Sequence, residues 1–230
     1  MLRDQLGRRW RQTGAIPLPP KKTIPEHAHE QASFGREKRE PRLKQARRGR
    51  RPVDFVDAAP FVFAPFLGCL WCAVRRFVRA ASGRTRDNVL GALDAVTHRR
   101  IRVTNDGSIN AESVCALLRA VAEAAVGLPI TLVPDKARDQ KCALVPTLAA
   151  SLGIELLSLP ASSPNLNRIE RLGRFVRQQS LDSTSDEDFE QFRTAIDGCL
   201  DDLSRVHKGE METLLTHKFQ MFEDVPLLAA

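Results

Sequence analysis

The strongest constraint on the fold is an alternation of apolar strands and helices between residues 129 and 170. Two short apolar runs of strand length, PITLV and IELLSL, are separated by a segment of helix length, and another helix-length segment follows the second run. Such an alternation is typical of parallel strands that are buried between helices. The segment therefore predicts an α/β fold.

Three further strand-like runs precede this segment. The first, VDFVDAAPFVF, begins after Pro52, and NVLGALDAV and RRIRVTND are joined near Thr97 and His98. Asn110 is predicted to cap the helix that leads to PITLV. The full order is strand, hairpin, helix, strand, helix, strand, helix, helix. It predicts a mixed sheet with helices on its faces and right-handed crossovers.

Apolar spacing predicts the inward faces of the helices that follow PITLV. In the first, Pro146 should kink the helix or delay its start, and Gly153 should end it. The second is expected over residues 165–179, the third is expected to be capped by Ser185, and a short last helix is expected over 208–222. The inward residues are Leu144, Leu148 and Leu152 in the first helix, Leu166, Ile169, Leu172 and Val176 in the second, and Phe189, Phe192, Ile196 and Leu203 in the third.

Charge separates an N-terminal arm from the rest of the chain. Residues 1–52 hold fifteen Lys/Arg and five Asp/Glu, a net charge of +10, whereas the whole chain carries +7. Residues 15–35 contain four prolines and are predicted to be an extended linker, and a helix is plausible after Pro41. A basic arm before a near-neutral globule suggests nucleic acid as a partner, although a solvated tail without a specific partner would have the same composition.

Several classes of protein are disfavoured. The sequence contains no apolar run of 18 residues, so no membrane span is expected, and no signal peptide is evident. Five irregularly spaced cysteines do not form a disulfide framework and suit a reducing cytoplasm. Cys69 and Cys72 form a C-x-x-C pair that could bind zinc, but no second ligand pair follows, so apolar packing is the favoured interpretation.

Three carboxylates are placed where they could converge. Asp57 lies within an apolar strand, Asp135 follows the strand PITLV, and Glu170 lies beside the buried face of its helix. A buried carboxylate is costly unless it is paired or binds a metal, and Mg²⁺ prefers such oxygen ligands. Two ions about 4 Å apart can promote an in-line phosphoryl displacement. Each acid could instead be a helix cap, a turn residue or an ion-pair partner.

Five segments together resemble the catalytic domain of bacterial insertion-sequence transposases of the mariner-related group. They are FVDAAPFVFAPFLGCLWC, NVLGALDAVTH, VTNDGSINAESV, ITLVPDKARDQ and LPASSPNLNRIERL. The resemblance covers roughly residues 10–205, and the thirty-four residues between Asp135 and Glu170 match the spacing of that group. It implies a ribonuclease-H-like mixed sheet flanked by helices. It also implies an Asp57, Asp135 and Glu170 triad that binds two Mg²⁺ or Mn²⁺ ions.

The resemblance further implies cleavage and strand transfer of double-stranded DNA at transposon ends. A homodimer in the bacterial cytoplasm, associated with the nucleoid, is expected by the same resemblance. The expected domains are a basic arm over 1–51, left from a helix-turn-helix region, a catalytic domain over 52–205 and a helical tail over 206–230. The basic residues expected to contact DNA are Arg8, Arg9, Arg11, Lys21, Lys22, Arg47, Arg48, Arg50 and Arg51.

The sequence also departs from the family pattern. Lys136 stands where Asn usually follows the second acid, Pro60 where His is common, and Gly173 where an aromatic residue packs. Asp54 occupies a position that is expected to be apolar. The alternative to an active enzyme is therefore an impaired transposase remnant that binds DNA non-specifically through its arm. A ribonuclease-H-like nuclease that acts on RNA is a more distant alternative.

Overall fold

A five-stranded mixed sheet forms the centre of the computed structural model, which describes residues 28–63, 85–105, 107–135, 142–160, 163, 166–181, 188–203 and 205–216. The strands are β1 (Val53–Val62), β2 (Arg86–Asp94), β3 (Arg100–Asn105), β4 (Ile130–Pro134) and β5 (Ile154–Leu156). Their order across the sheet is β3-β2-β1-β4-β5. The first three strands pair antiparallel, whereas β1, β4 and β5 pair parallel. The predicted mixed sheet is confirmed.

Helices cover both faces of this sheet. They are α1 (Ala28–Ser33), which continues through a π-helical segment (Phe34–Arg39) into α2 (Glu40–Arg47), then α3 (Ala111–Ala124), α4 (Leu144–Ser151), α5 (Arg168–Leu181), α6 (Phe189–Asp202) and α7 (Lys208–Leu214). One apolar cluster lies between the sheet and α3 and α4, and the other lies between the sheet and the remaining helices. Within the described residues, no helix is long and apolar enough to span a membrane.

The alternation of side chains along β1 divides the core into these two clusters. Val53, Phe55 and Phe61 point to the cluster of α5 and α6, whereas Val56 points to the cluster of α3 and α4. This follows from the two-residue period of a strand. Burying one such side chain stabilises the fold by about 1.5–3 kcal/mol. Asp57 has the same parity as Phe55, so it faces α5.

Several local predictions are confirmed. The Asn110 side chain accepts a hydrogen bond of 3.0 Å from the Ser113 amide and so caps α3. Of the two predicted effects of Pro146, the helix start is the one that the structure bears on: α4 begins at Leu144, so Pro146 lies in the first turn, where a missing amide proton costs no intrahelical bond. In α5, the predicted inward residues Ile169, Leu172 and Val176 are all buried.

Other local predictions are wrong. Leu144 is 52% exposed, whereas Leu148 and Leu152 are partly buried against the core as predicted, and the fully buried residues of α4 are Val145 and Ala149. Asp188 caps α6 by accepting a hydrogen bond of 2.8 Å from the Gln191 amide, and Ser185 lies outside the described residues.

The end of the predicted linker is also helical. The chain forms helix from Ala28 to Arg47, and Phe34, Leu43 and Ala46 pack into the core. Hydrogen bonds in a six-residue π-helical turn shift the apolar residues away from the 3.6-residue period by which an amphipathic helix is recognised in sequence. The last helix ends at Leu214, and the rest of its predicted range lies partly outside the described residues.

Candidate active site

The sheet places two of the three carboxylates on neighbouring strands, Asp57 in the middle of β1 and Asp135 directly after β4. β1 and β4 pair in register from Val53 with Thr131 to Val56 with Pro134. Asp57 and Asp135 are the next residue on each strand, so they lie side by side where the two strands separate. Both residues border one small cavity of about 140 Å³ beneath the sheet edge. Carboxyl ends of parallel strands are the usual place for a site in an α/β fold.

Helix α5 brings the third carboxylate to the same edge. The Asn167 amide group donates a hydrogen bond of 3.4 Å to the carbonyl oxygen of Val56, directly before Asp57. Ile169 packs so closely on Gly91, the β2 partner of Asp57, that a Cβ atom there would lie 3.0 Å from the Ile169 Cδ1 atom. The start of α5 is therefore held over Asp57, and Glu170 follows in its first turn.

The pKa of the Asp57 carboxyl is affected by both other acids. The pKa of the Asp57 carboxyl is raised to about 6, mainly by burial and further by the charges of Asp135 and Glu170, against the Ala58 amide and Arg177, which lower it. The Ala58 amide donates a hydrogen bond of 2.8 Å to Asp57 Oδ1. Asp57 thus lies within the electrostatic fields of both Asp135 and Glu170.

The donor set is chemically suited to hard divalent cations. Carboxylate oxygens are the ligands that Mg²⁺ and Mn²⁺ prefer, and an added cation would offset the mutual repulsion that raises the pKa of Asp57. No three carboxylate, imidazole or thiol groups of the described segments are close enough to enclose one ion. The residues therefore fit the metal in type and sheet position, and the distances between their oxygens would have to shorten on binding.

Two arginines of α5 flank the acids, and sequence reasoning missed both. Arg174, whose side chain is 76% exposed, lies 3.4 Å from Glu170. Arg177 donates a hydrogen bond of 3.1 Å to the carbonyl of Pro60 and stacks over the Phe61 ring at 5.5 Å. The available signal was the recurrence of Arg at every third position from 168 to 177 of the sequence.

The positions that depart from the family pattern have different structural contexts. Pro60 is exposed on β1, and its carbonyl oxygen accepts a hydrogen bond from Arg177. Gly173 faces Ala59 of β1 with room for a Cβ atom, which would lie 3.6 Å from the Ala59 Cβ. It borders a cavity of about 410 Å³ that reaches Asp57. Lys136 lies outside the described residues.

The basic residues that were predicted to contact DNA lie elsewhere. Arg47, Arg48 and Arg50 are exposed just before β1, whereas Asp57 is the fifth residue of that strand. The guanidinium of Arg51 points inward and is paired with Glu155 of β5 and bonded to Thr131. The remaining predicted contacts lie outside the described residues and are Arg8, Arg9, Arg11, Lys21 and Lys22.

Comparison with solved structures identifies relatives of this fold. The Mos1 strand transfer complex has a TM-score of 0.57 at 15% identity, covering 96% of this chain and 71% of that chain. The Mos1 mariner paired end complex with Mn has a TM-score of 0.58 at 15% identity, covering 85% and 62%. The corresponding complex with Mg gives 0.56 at 13% identity, covering 94% and 71%. At such low identities the likeness shows a shared fold.

Sequence comparison identifies the family. No curated protein sequence matches the chain. The model of the DDE superfamily endonuclease family matches residues 73–193, slightly more than half of the chain. The matched range includes Asp135 and Glu170 and begins after Asp57. The chain therefore belongs to the DDE superfamily of endonucleases and has the ribonuclease-H-like fold of a transposase catalytic domain.

Proposed function

We propose that this domain cleaves DNA strands at transposon ends and transfers them to target DNA. Asp57, Asp135 and Glu170 would hold Mg²⁺ or Mn²⁺, two ions per site. The observation that carries the proposal is the convergence of the three carboxylates at one edge of the sheet, where Asp135 and Glu170 both raise the pKa of Asp57. The family and the shared fold support it.

The bound ions and the side chains of the protein would contribute different parts of the proposed reaction. Bound divalent ions activate the attacking oxygen and stabilise the leaving oxygen of an in-line displacement at phosphorus. The carboxylates fix where the ions bind. Arg174 and Arg177 lie beside Glu170 and Asp57, where guanidinium groups can bind phosphate oxygens of the strand that is cut.

The proposed partners are duplex DNA and a second copy of the chain. The neighbouring Mos1 structures are paired-end and strand transfer complexes, which is the assembly that we propose here. The exposed Arg47, Arg48 and Arg50 would bind DNA phosphates away from the site of cleavage, together with the basic residues nearer the N-terminus. We further propose the division at residues 51 and 205 that the sequence predicts, as segments that share one core, because Phe34, Leu43 and Met211 pack in the same apolar cluster as the sheet.

A matched pair of Asp→Asn variants tests the proposal. Nicking of supercoiled plasmid is measured with Mg²⁺, with Mn²⁺ and with EDTA. Asp135→Asn keeps the size of the side chain but removes a charged ligand, so nicking should fall to the EDTA background. Asp188→Asn is the control, because Asn is as good a helix cap as Asp and α6 should be retained. Equal nicking by Asp135→Asn and the wild type would refute the proposal.

A DNA-binding remnant without catalysis is the second candidate. It is favoured by the position of the exposed arginines, which precede β1 and are separate from the carboxylates around the middle of that strand. The remnant would bind duplex DNA with steep salt dependence and show no metal-dependent nicking. A parallel assay on an RNA–DNA hybrid separates both candidates from a nuclease that acts on RNA.

A further inference from the structure

Arg168 is the first residue of α5, two residues before Glu170, and its side chain is completely buried. Its Nη1 donates a hydrogen bond of 2.7 Å to the carbonyl oxygen of Ala95, and its Nη2 lies 3.3 Å from Nε2 of His98. Both partners belong to the turn that joins β2 to β3. A buried guanidinium thus links the helix of the third acid to the sheet.

Ala95 also connects Arg168 to β1, the strand that carries Asp57. The Ala95 amide donates a hydrogen bond of 2.8 Å to the carbonyl of Val53 in β1, four residues before Asp57. Ala95 is therefore held by β1 through its amide and by α5 through its carbonyl. Together with the bond from Asn167 to Val56, the start of α5 has two polar connections to the sheet in addition to the apolar packing of Ile169 on Gly91.

A cation at this place is unfavourable unless its contacts are made. Arg168 is removed from water, and it lies at the helix N-terminus, where the peptide dipoles repel positive charge. Its other charged neighbours are Arg171 and Arg47, which are repulsive, and Asp94, which is attractive. The contacts with the Ala95 carbonyl and His98 and the field of Asp94 offset the cost of charge burial. The arrangement therefore favours one position of the first turn of α5.

We infer that Arg168 is a positioning residue for the metal site, and that it sets where Glu170 stands relative to Asp57 by fixing α5 on the β2–β3 turn. The inference rests on the proposed function. Arg168 touches neither the carboxylates nor substrate in this role, and it acts through the helix. Groups that orient metal ligands typically contribute about 10-fold to 100-fold to metal affinity.

His98 supplies an independent readout of the link. Its backbone has φ of +57°, and burial followed by the charge of Arg168 lowers the pKa of its imidazole. Since Arg168 is a donor, His98 Nε2 accepts and the imidazole is neutral when the contact is made. Loss of the guanidinium should therefore raise the pKa of His98, with no metal or DNA in the sample.

The experiment compares Arg168→Met and Arg168→Lys with Arg171→Met, a matched control three residues further along α5. Mn²⁺ affinity is measured by electron paramagnetic resonance, the pKa of His98 by NMR, and folding by circular dichroism. Arg168→Met should weaken Mn²⁺ binding about tenfold or more and raise the pKa of His98. Arg168→Lys, which can still donate to one partner, should be intermediate, and Arg171→Met should resemble the wild type. Half-saturation of nicking by Mg²⁺ should shift in parallel.

The outcomes separate the inference from the proposed function. If the folded Arg168 variants bind Mn²⁺ as tightly as the wild type, the inference is wrong while the function stands. If Arg171→Met weakens Mn²⁺ binding equally, the effect belongs to helix charge and the inference is also wrong. If the wild type itself binds no Mn²⁺ and nicks no DNA, the proposed function is wrong, and the positioning role that rests on it is wrong as well. The His98 titration then still reports whether the physical link exists.

Discussion

At the scale of single residues, Asp54 is a buried acid outside the candidate site whose charge should be costly. It lies opposite Asp94 in the β1–β2 pair, is fully buried, and neither carboxylate oxygen has a hydrogen-bond partner in the described part of the chain. The Ala95 amide donates a hydrogen bond to the Val53 carbonyl, so Val53 and Ala95 form a hydrogen-bonded pair of the antiparallel ladder. Asp54 and Asp94 are therefore a non-hydrogen-bonded pair, the type in which opposed side chains come closest. Burial and the charge of Asp94 raise the pKa of Asp54 to about 7, although Arg99 lowers it.

Replacing Asp54 by Asn should therefore stabilise the protein, and more so at higher pH. The folded-state pKa of Asp54 is raised above its ordinary value of 3.8 to about 7. The folded chain then retains a proton that the unfolded chain loses, so wild-type stability falls as pH rises from about 4 to about 7 and is level above that. A shift of this size corresponds to roughly 4 kcal/mol at most. Urea unfolding at pH 5 and pH 8 measures it.

The pH dependence distinguishes this cause from a general packing effect. The asparagine side chain has nearly the size of aspartate and can donate a hydrogen bond to Asp94. The Asp54→Asn variant should therefore gain little at pH 5 and most of its advantage at pH 8. An advantage of the same size at both pH values would show that the Asp54 charge is not responsible. The sequence indicated an unusual acid at this position, but only the strand register shows that a second carboxylate faces it.

At the scale of elements, α5 packs more closely on β2 at Gly91 than it packs on β1 at Gly173. A Cβ atom at Gly91 of β2 would make a tight contact of 3.0 Å with the Ile169 Cδ1 atom, whereas a Cβ atom at Gly173 of α5 would lie 3.6 Å from Ala59. Both glycines border the cavity of about 410 Å³ between α5 and the sheet. Asp57 borders the same cavity, so the packing of this helix and the geometry of the candidate site are connected.

Gly173→Ala should stabilise the protein, and Gly91→Ala should destabilise it. Ala in a helix interior is favoured over Gly by about 1 kcal/mol, which corresponds to about 2–4 °C in melting temperature for a chain of this size. The new Cβ at Gly173 would make an ordinary contact of 3.6 Å with Ala59, whereas a Cβ at Gly91 would lie 3.0 Å from the Ile169 Cδ1 atom, so that Ile169 would have to shift by a few tenths of an ångström. Thermal unfolding by circular dichroism compares the two variants. A higher melting temperature for Gly91→Ala than for Gly173→Ala would contradict this account.

The elements show why some of the fold follows from sequence and some does not. β4 is buried at all five positions, so an apolar run of strand length identifies it without knowledge of its neighbours. The inward face of α4 is less determined, because apolar residues surround the helix and tertiary packing selects Val145 and Ala149. The helix that precedes β1 is harder still to predict, since its burial depends on the π-helical turn around Phe34 and on docking against the sheet.

At the scale of the whole molecule, the exposed arginines of the arm precede β1, whereas Asp57 lies in the middle of that strand. The proximity of the three acids was predictable because neighbouring parallel strands bring Asp57 and Asp135 together and Glu170 lies in the first turn of α5, and their catalytic role stays a prediction. The distribution of the arm's cations was not predictable from charge counts. Arg42 and Arg51 both pair with Glu155 of β5 and so anchor the arm to the sheet, whereas Arg48 and Arg50 remain exposed.

This separation predicts that DNA binding and metal binding can be altered independently. The triple change of Arg47, Arg48 and Arg50 to Gln removes exposed charge without touching the Glu155 pairs. Each lost phosphate contact should reduce the slope of log affinity against log salt by about 0.9, so the slope should fall by up to about 2.7. Fluorescence anisotropy with duplex DNA across a salt series measures this. Mn²⁺ affinity should be unchanged, and Asp135→Asn should show the reverse pattern of weak Mn²⁺ binding with an unchanged salt slope. A salt slope that is unaffected by the triple change would place the DNA-binding surface elsewhere, with the arginines of α5 as the next group to replace.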